Sequence, residues 1–382
     1  MIDPRAYVNE QKKKYPSLHK EWEILEEFYE KKLWHQLTLK LEDFIRNEHF
    51  VSNGGLVDLY EKFIFEFENR ISSLVLIKLA IEISVEIKDT EERIKFLQKI
   101  KDKVSLNKEA DALAYTALGH IYLTRKDYSK TKELLDKAEE MLDKLNGISP
   151  VHCELYRLSS EYYYEIKDYV LYYKETLKFL GVMDIDKLSK EEMERYAYNL
   201  SIASLLGEDI YNFNELLSHP VFDSMRNSSD QAKDYGWLVE LLYAFNGGDL
   251  KKMEKLKPRW SKMSLLKEKS TLLEKKIKLL CLMEMTYKKP ANNRQLTFEE
   301  ISKGAEVPIK DVENLVMKAL SLNLVKGYID EIDKKVYMKW VQPRVLDLKQ
   351  IATMNQILGK WSDDIKSVED TFHENAKELI HF

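Results

Sequence analysis

Towards the end of the chain the apolar positions fall at Ile351, Met354, Leu358, Trp361, Ile365, Val368, Phe372 and Leu379, in steps of three and four broken where Asn375 takes the seam position. A period near 3.5 predicts a helix with one narrow apolar stripe. Lys360, Asp363, Asp364, Lys366, Glu369, Asp370, Glu374, Lys377 and Glu378 flank it and keep the other faces wet. The stripe could fold back onto the chain's own domain. A helix of about thirty residues, however, reaches ~45 Å at 1.5 Å per residue, more than a small domain covers. The pattern therefore predicts a bundle with helices of other chains.

Further upstream the organising signal is a repeat. Aspartates recur at Asp89, Asp127, Asp168, Asp209 and Asp249, each behind a largely apolar or aromatic segment, with a step near forty residues. Such a step predicts stacked helix pairs, each Asp capping or turning into the second helix of its pair. The stretch Tyr115-Thr116-Ala117-Leu118-Gly119-His120-Ile121-Tyr122 fits the tetratricopeptide spacing with Tyr in place of Trp, and Ala138 follows as the small packing residue. Gly119 would let two helices approach closely. The copy at Tyr156 to Tyr163 has Ser159-Ser160 for Leu-Gly, and the period exceeds the thirty-four residues of that repeat. Proline is absent from Ser17 through Ser149, and the stripes Trp22, Leu25, Phe28, Tyr29 and Leu74, Ile77, Lys78, Ile81 have helical spacing. Among the tyrosines at 162, 163, 164, 169, 172 and 173 only Lys167 intervenes, so interhelix packing is expected there, not a platform for bases.

Lys288-Lys289-Pro290-Ala291-Asn292-Asn293 breaks the helical pattern and predicts a linker. Thr297 and Glu300 then form a capping box for a short helix that runs through Ile301 to a turn at Gly304. A second helix is expected from Pro308, with Val312, Leu315, Val316, Ala319 and Leu320 on one face. Two strands follow, Val325 to Asp330 and Lys335 to Val341. Two helices and a two-stranded wing predict a winged helix. From Pro308 to Asn323 Lys310 and Lys318 balance Asp311 and Glu313, and no Arg is available for guanine or phosphate, which argues against DNA reading. The wing offers a strand edge for pairing with a neighbour. The fold class expected is mostly α: a tetratricopeptide-like helical solenoid over 1–290, a winged helix over 291–345 and a long C-terminal helix over 346–382.

With 44% apolar and 33% charged residues, 12 Gly and 8 Pro in 382 residues, the chain reads as helix-rich and globular. Neither a membrane span nor the apolar core of a signal peptide is visible, so export is not expected. Cys153 and Cys281 stand far apart with no Cys/His cluster, which suits reduced thiols in cytosol or nucleus. The net charge of −5 hides an uneven distribution: Lys251 to Lys278 holds eleven Lys/Arg against three Glu. That basic face suits solvent or an acidic protein neighbour; a dedicated nucleic-acid binder shows a net basic domain.

No catalytic pattern stands out. The residues His19, His35, His49, His120, His152, His219, His373 and His381 never cluster at ligand spacing, and His373-Glu374 lacks the second His of a zincin helix. Walker and Rossmann glycine patterns are absent too. The expectation is a chain without enzymatic activity, cofactor, metal or small-molecule substrate.

A helical solenoid followed by a winged helix and a long helix resembles the PCI module shared by the proteasome lid, the COP9 signalosome and translation initiation factor 3. Leu33-Trp34-His35-Gln36-Leu37-Thr38, Ser218-His219-Pro220-Val221-Phe222, Leu324 to Asp333, and Val336 through Trp340-Val341-Gln342-Pro343-Arg344-Val345-Leu346 look like a PCI subunit of the 26S proteasome lid in particular. The resemblance implies a non-catalytic scaffold, cytoplasmic and nuclear, that supports assembly with other lid subunits and ubiquitin-dependent protein degradation. It implies lateral contacts at the winged-helix edge, through Val325, Tyr328, Val336, Tyr337, Met338, Trp340 and Val341. The helix bundle it implies would use the seam from Ile351 to Leu379. A scaffold of another PCI complex is the alternative within that class. A nucleic-acid-binding adaptor using the basic 251–278 segment is the alternative outside it.

Overall fold

In a computed structural model of the chain, the described residues are 4–15, 18–45, 55–145, 147, 149–226, 235–290, 294–342 and 348–380. The expected linker residues 291–293, the stretch Pro343 to Leu346, His49, His381 and the side chains of Asn375 and Leu379 lie outside them. The chain is mostly helical and forms two compact units, Met1–Asp184 and Ile185–Phe382.

The first unit begins with α1 (Pro4–Lys14), α2 (His19–Glu30) and α3 (Trp34–Ile45). Trp22 of the predicted stripe is fully buried, with its ring 4.8 Å from Phe44 and 6.1 Å from Tyr7, both edge-on. Mixed helical turns over Leu56–Leu59, Tyr60–Ile64 and Phe65–Phe67 lead to α4 (Ser73–Glu86) and α5 (Thr90–Val104). Four longer helices complete the unit: α6 (Lys108–Thr124), α7 (Tyr128–Leu142), α8 (Pro150–Glu165) and α9 (Tyr169–Val182). At Gly119 of α6 an added Cβ would lie 2.5 Å from Leu158 Cδ2 of α8, so the absent side chain sets how closely these helices pack. Tyr162, Tyr172 and Tyr173 are buried between helices as expected, whereas Tyr164 is exposed.

One turn recurs at the helix junctions. Between α6 and α7 the Asp127 amide donates to the Tyr122 carbonyl, Lys126 adopts a φ of 61°, and the Asp127 carboxylate accepts from the Lys130 amide at 3.2 Å. Between α8 and α9 the Asp168 amide reaches the Tyr163 carbonyl, Lys167 has a φ of 61°, and Asp168 accepts from the Leu171 amide at 3.1 Å. A left-handed residue closes one helix and an aspartate opens the next, which satisfies orphan groups at both ends.

The second unit uses the same turn between α12 (Gly236–Gly247) and α13 (Leu250–Trp260): Gly248 has a φ of 62° and Asp249 accepts from the Lys252 amide. Before them lie α10 (Lys190–Leu206) and α11 (Pro220–Arg226); after them comes α14 (Ser270–Lys288). Asp89 caps α5 through the Glu91 amide. Asp209 departs from the expectation, since it lies in the loop after α10 and caps no helix.

The winged helix follows: β1 (Gln295–Thr297), α15 (Phe298–Ala305), α16 (Ile309–Ser321), β2 (Val325–Asp330) and β3 (Lys335–Val341). The Thr297/Glu300 capping box forms as predicted. The first helix passes Gly304 and turns at Glu306, which takes a φ of 51°. Leu296, Ile301, Val312, Val316, Ala319, Val325 and Val336 fill the core. The last helix is α17 (Leu348–Ile380), whose 33 residues span about 50 Å.

Candidate protein-interaction surfaces

The sheet order is β1-β3-β2, all antiparallel. This corrects the expected edge. Gln295 to Thr297 pair with Lys335 to Tyr337, so β3 is central over those residues and β2 is the edge strand beside it. Of the residues expected at an edge, Val325 and Tyr328 lie on β2. Val336, Tyr337, Met338, Trp340 and Val341 lie on β3, and the side chains of Val336 and Met338 are core. A three-residue strand paired far along the sequence leaves almost no local signal: Leu296 is one apolar residue between two polar ones. On the outer face Tyr328 stacks on Tyr337, with ring centroids 4.8 Å apart, and Lys326 Nζ sits 4.9 Å from the Trp340 ring. Tyr328 is half exposed.

The seam on α17 is open to water. Ile351, Met354, Leu358, Ile365 and Val368 are exposed, as are Trp361 at 67% and Phe372 at 72%. Ile357, one residue before Leu358, widens the stripe. Burying side chains of this size is worth about 1.5–3 kcal/mol each. The stripe does not fold back onto its own unit.

The basic segment is mostly surface, with one exception. Lys276 is 2% exposed, and its Nζ donates to the carbonyl oxygens of Ser204 and Gly207 at 2.6 Å each and of Leu205 at 3.4 Å. These carbonyls end α10, where the helix dipole favours a cation. The Tyr211 and Phe213 ring centroids lie 5.6 and 5.3 Å from the same nitrogen. Burial pushes the Lys276 ammonium down from 10.5 to about 7, against the opposing pull of Asp209 and Glu208. In sequence Lys276 is one of eleven Lys/Arg in its segment; the α10 carbonyls that hold it are about seventy residues away.

Beside Lys276 a cleft of about 650 Å³ opens between α14, α16 and the Glu208 to Tyr211 loop. Leu272, Leu279, Val307, Pro308, Leu315 and Leu322 line it.

Candidate chemistry elsewhere is sparse. Among the described residues no group of three His, Cys, Asp or Glu is arranged to hold a metal ion. His120 meets Glu161 at 3.2 Å and His152 completes the capping box of Ser149, so both serve helix ends and contacts. Both cysteines are free thiols, and burial pushes Cys281 up to about 11. No helix among the described residues is long and apolar enough to cross a membrane.

Helical hairpins leading into a winged helix, with an uncovered helix beyond it, define a PCI-type chain, and the PCI domain family matches residues 253–340. The family described as PSD13 N-terminal repeats matches residues 21–242. Among curated proteins, 26S proteasome non-ATPase regulatory subunit 13 homolog B of Arabidopsis thaliana is 35% identical over 98% of each chain. The Dictyostelium discoideum 26S proteasome non-ATPase regulatory subunit 13 is 31% identical over 99% of this chain and 98% of its own. The Saccharomyces cerevisiae 26S proteasome regulatory subunit RPN9 is 35% identical over 92% of each. The chain belongs to the family of 26S proteasome non-ATPase regulatory subunit 13.

Proposed function

We propose that this chain is a scaffold subunit of the 26S proteasome regulatory lid, working in cytoplasm and nucleus without catalysing a reaction itself. It joins other lid subunits in a hetero-oligomer and so supports ubiquitin-dependent protein degradation. Two surfaces serve assembly. The α17 seam from Ile351 to Phe372, with Leu379 beyond it, enters a helix bundle, and β2, through Val325 and Tyr328, offers its open backbone to a neighbouring sheet. The outer-face residues Tyr337, Trp340 and Val341 flank that contact. Helical repeats, winged helix and seam helix act as three functional segments, over 1–290, 291–345 and 346–382.

The observation that carries this reading is the seam itself: apolar side chains in heptad register on a 33-residue helix, exposed from Ile351 to Phe372 in the isolated chain. A stripe of that length in water marks an interface. The test is reconstitution of the lid with the double variant Trp361→Asp/Ile365→Asp. Incorporation should fall by at least tenfold, because charges in a buried seam cost several kcal/mol. Incorporation at the unaltered level would remove the seam from the interface.

A further inference from the structure

The cleft beside Lys276 is lined by two rows of side chains. On α14, Leu272, Lys275, Lys276 and Leu279 follow steps of three and four, which set them on one face. On α16, Asp311, Leu315 and Lys318 do the same, with Leu322 just past the helix end. Leucines and charged side chains of both rows line the cleft together.

The charges of the cleft divide by their surroundings. Glu208 and Asp209 border the cleft in the loop beside the buried Lys276. Asp311 stands in the first turn of α16, where the helix dipole favours a carboxylate. Lys275, Lys278 and Lys318 have no such role: among the described residues none of them pairs with a carboxylate. Three cations without a carboxylate partner therefore line the cleft alongside these leucines. They stand within or beside a segment that carries eleven Lys/Arg against three Glu.

We propose that this cleft is a docking site for an acidic amphipathic helix of a partner protein, with aliphatic anchors against Leu272, Leu279, Leu315 and Leu322 and carboxylates towards Lys275, Lys278 and Lys318. The volume of about 650 Å³ holds a few aliphatic side chains, and helix-in-groove docking uses such anchors one turn apart. Complementary charge at the rim governs the rate and choice of partner more than the depth of binding. This site is separate from the α17 seam and the β2 edge.

The experiment uses the full chain with Trp361→Asp/Ile365→Asp, which removes the competing seam, and fluorescence anisotropy of three labelled model helices. One is built of leucine and glutamate, one replaces the glutamates by lysine, and one replaces the leucines by serine. The leucine–glutamate helix should bind, weaken as salt rises, and lose about tenfold in affinity on Lys275→Ser/Lys278→Ser/Lys318→Ser, while the other two bind at least tenfold more weakly. Far-ultraviolet circular dichroism of the lysine variant checks its fold. Four results would each overturn the proposal: no binding at low salt, equal binding of the lysine helix, equal binding of the serine helix, or indifference to the lysine substitutions. So would self-association of the seam-substituted chain that vanishes when the three lysines are also replaced, because the occupant would then be a second copy.

Discussion

Lys276 contributes differently from every other lysine in its segment, because its charge is buried under three carbonyl groups. Its folded value of about 7 lies below the 10.5 of an unburied lysine, so between those values the unfolded chain holds a proton the folded chain has released. Stability then rises with pH through that window, and below it the full cost of burying the charge applies. Lys276→Met should therefore narrow the gain in urea resistance between pH 7 and pH 9 relative to the parent chain. A parent-minus-variant difference that stays flat over that range would show that Lys276 keeps one charge state. Neither Lys276 nor Asp209 was legible locally, since both take their roles from partners distant in sequence. The Asp89, Asp127, Asp168 and Asp249 caps were legible, because a cap and the amide it serves are two or three residues apart.

At the level of the element, the recurrent helix–turn–helix junction makes opposite predictions for one position. Gly248 has a left-handed φ, and a Cβ there would lie 2.6 Å from Cys281 Cα, so Gly248→Ala should cost on the order of 3 kcal/mol. Lys126 and Lys167 hold the equivalent conformation with exposed side chains, and Lys126→Gly and Lys167→Gly should each gain about 0.5–1 kcal/mol. Thermal melting of the three variants checks both signs; a stabilised Gly248→Ala would refute the steric argument. Asp127→Ala, Asp168→Ala and Asp249→Ala should each cost about 1 kcal/mol through the lost cap. Asp209→Ala loses no cap, and its effect should be confined to the Lys276 titration. Helix ends and both long strands could be read from sequence because caps and alternation are local. The strand β1 could not, because its pairing with β3 is set by the folded winged helix.

For the molecule as a whole, the exposed α17 stripe predicts behaviour of the isolated chain. Purified alone it should self-associate as its concentration rises, and Trp361→Asp/Ile365→Asp should keep it monomeric in sedimentation velocity. The melting temperature should stay within about a degree, because these side chains bury little in the isolated chain. Substituted chain that still associates would move the sticky surface elsewhere. The tail's helical period was plain in the sequence, and its length argued for partners; what only the structure shows is that, among the described residues, no part of its own unit covers the stripe. That arrangement also has a consequence in time. Synthesis runs from the N-terminus, and domains fold as they emerge. The helical units and the winged helix precede α17 in the chain, so a nascent chain can bury its cores before the adhesive stripe has been translated. If α17 joins other chains as proposed, that competence arrives after the body is folded, and a chain that stops before residue 348 should fold yet fail to enter the proposed bundle.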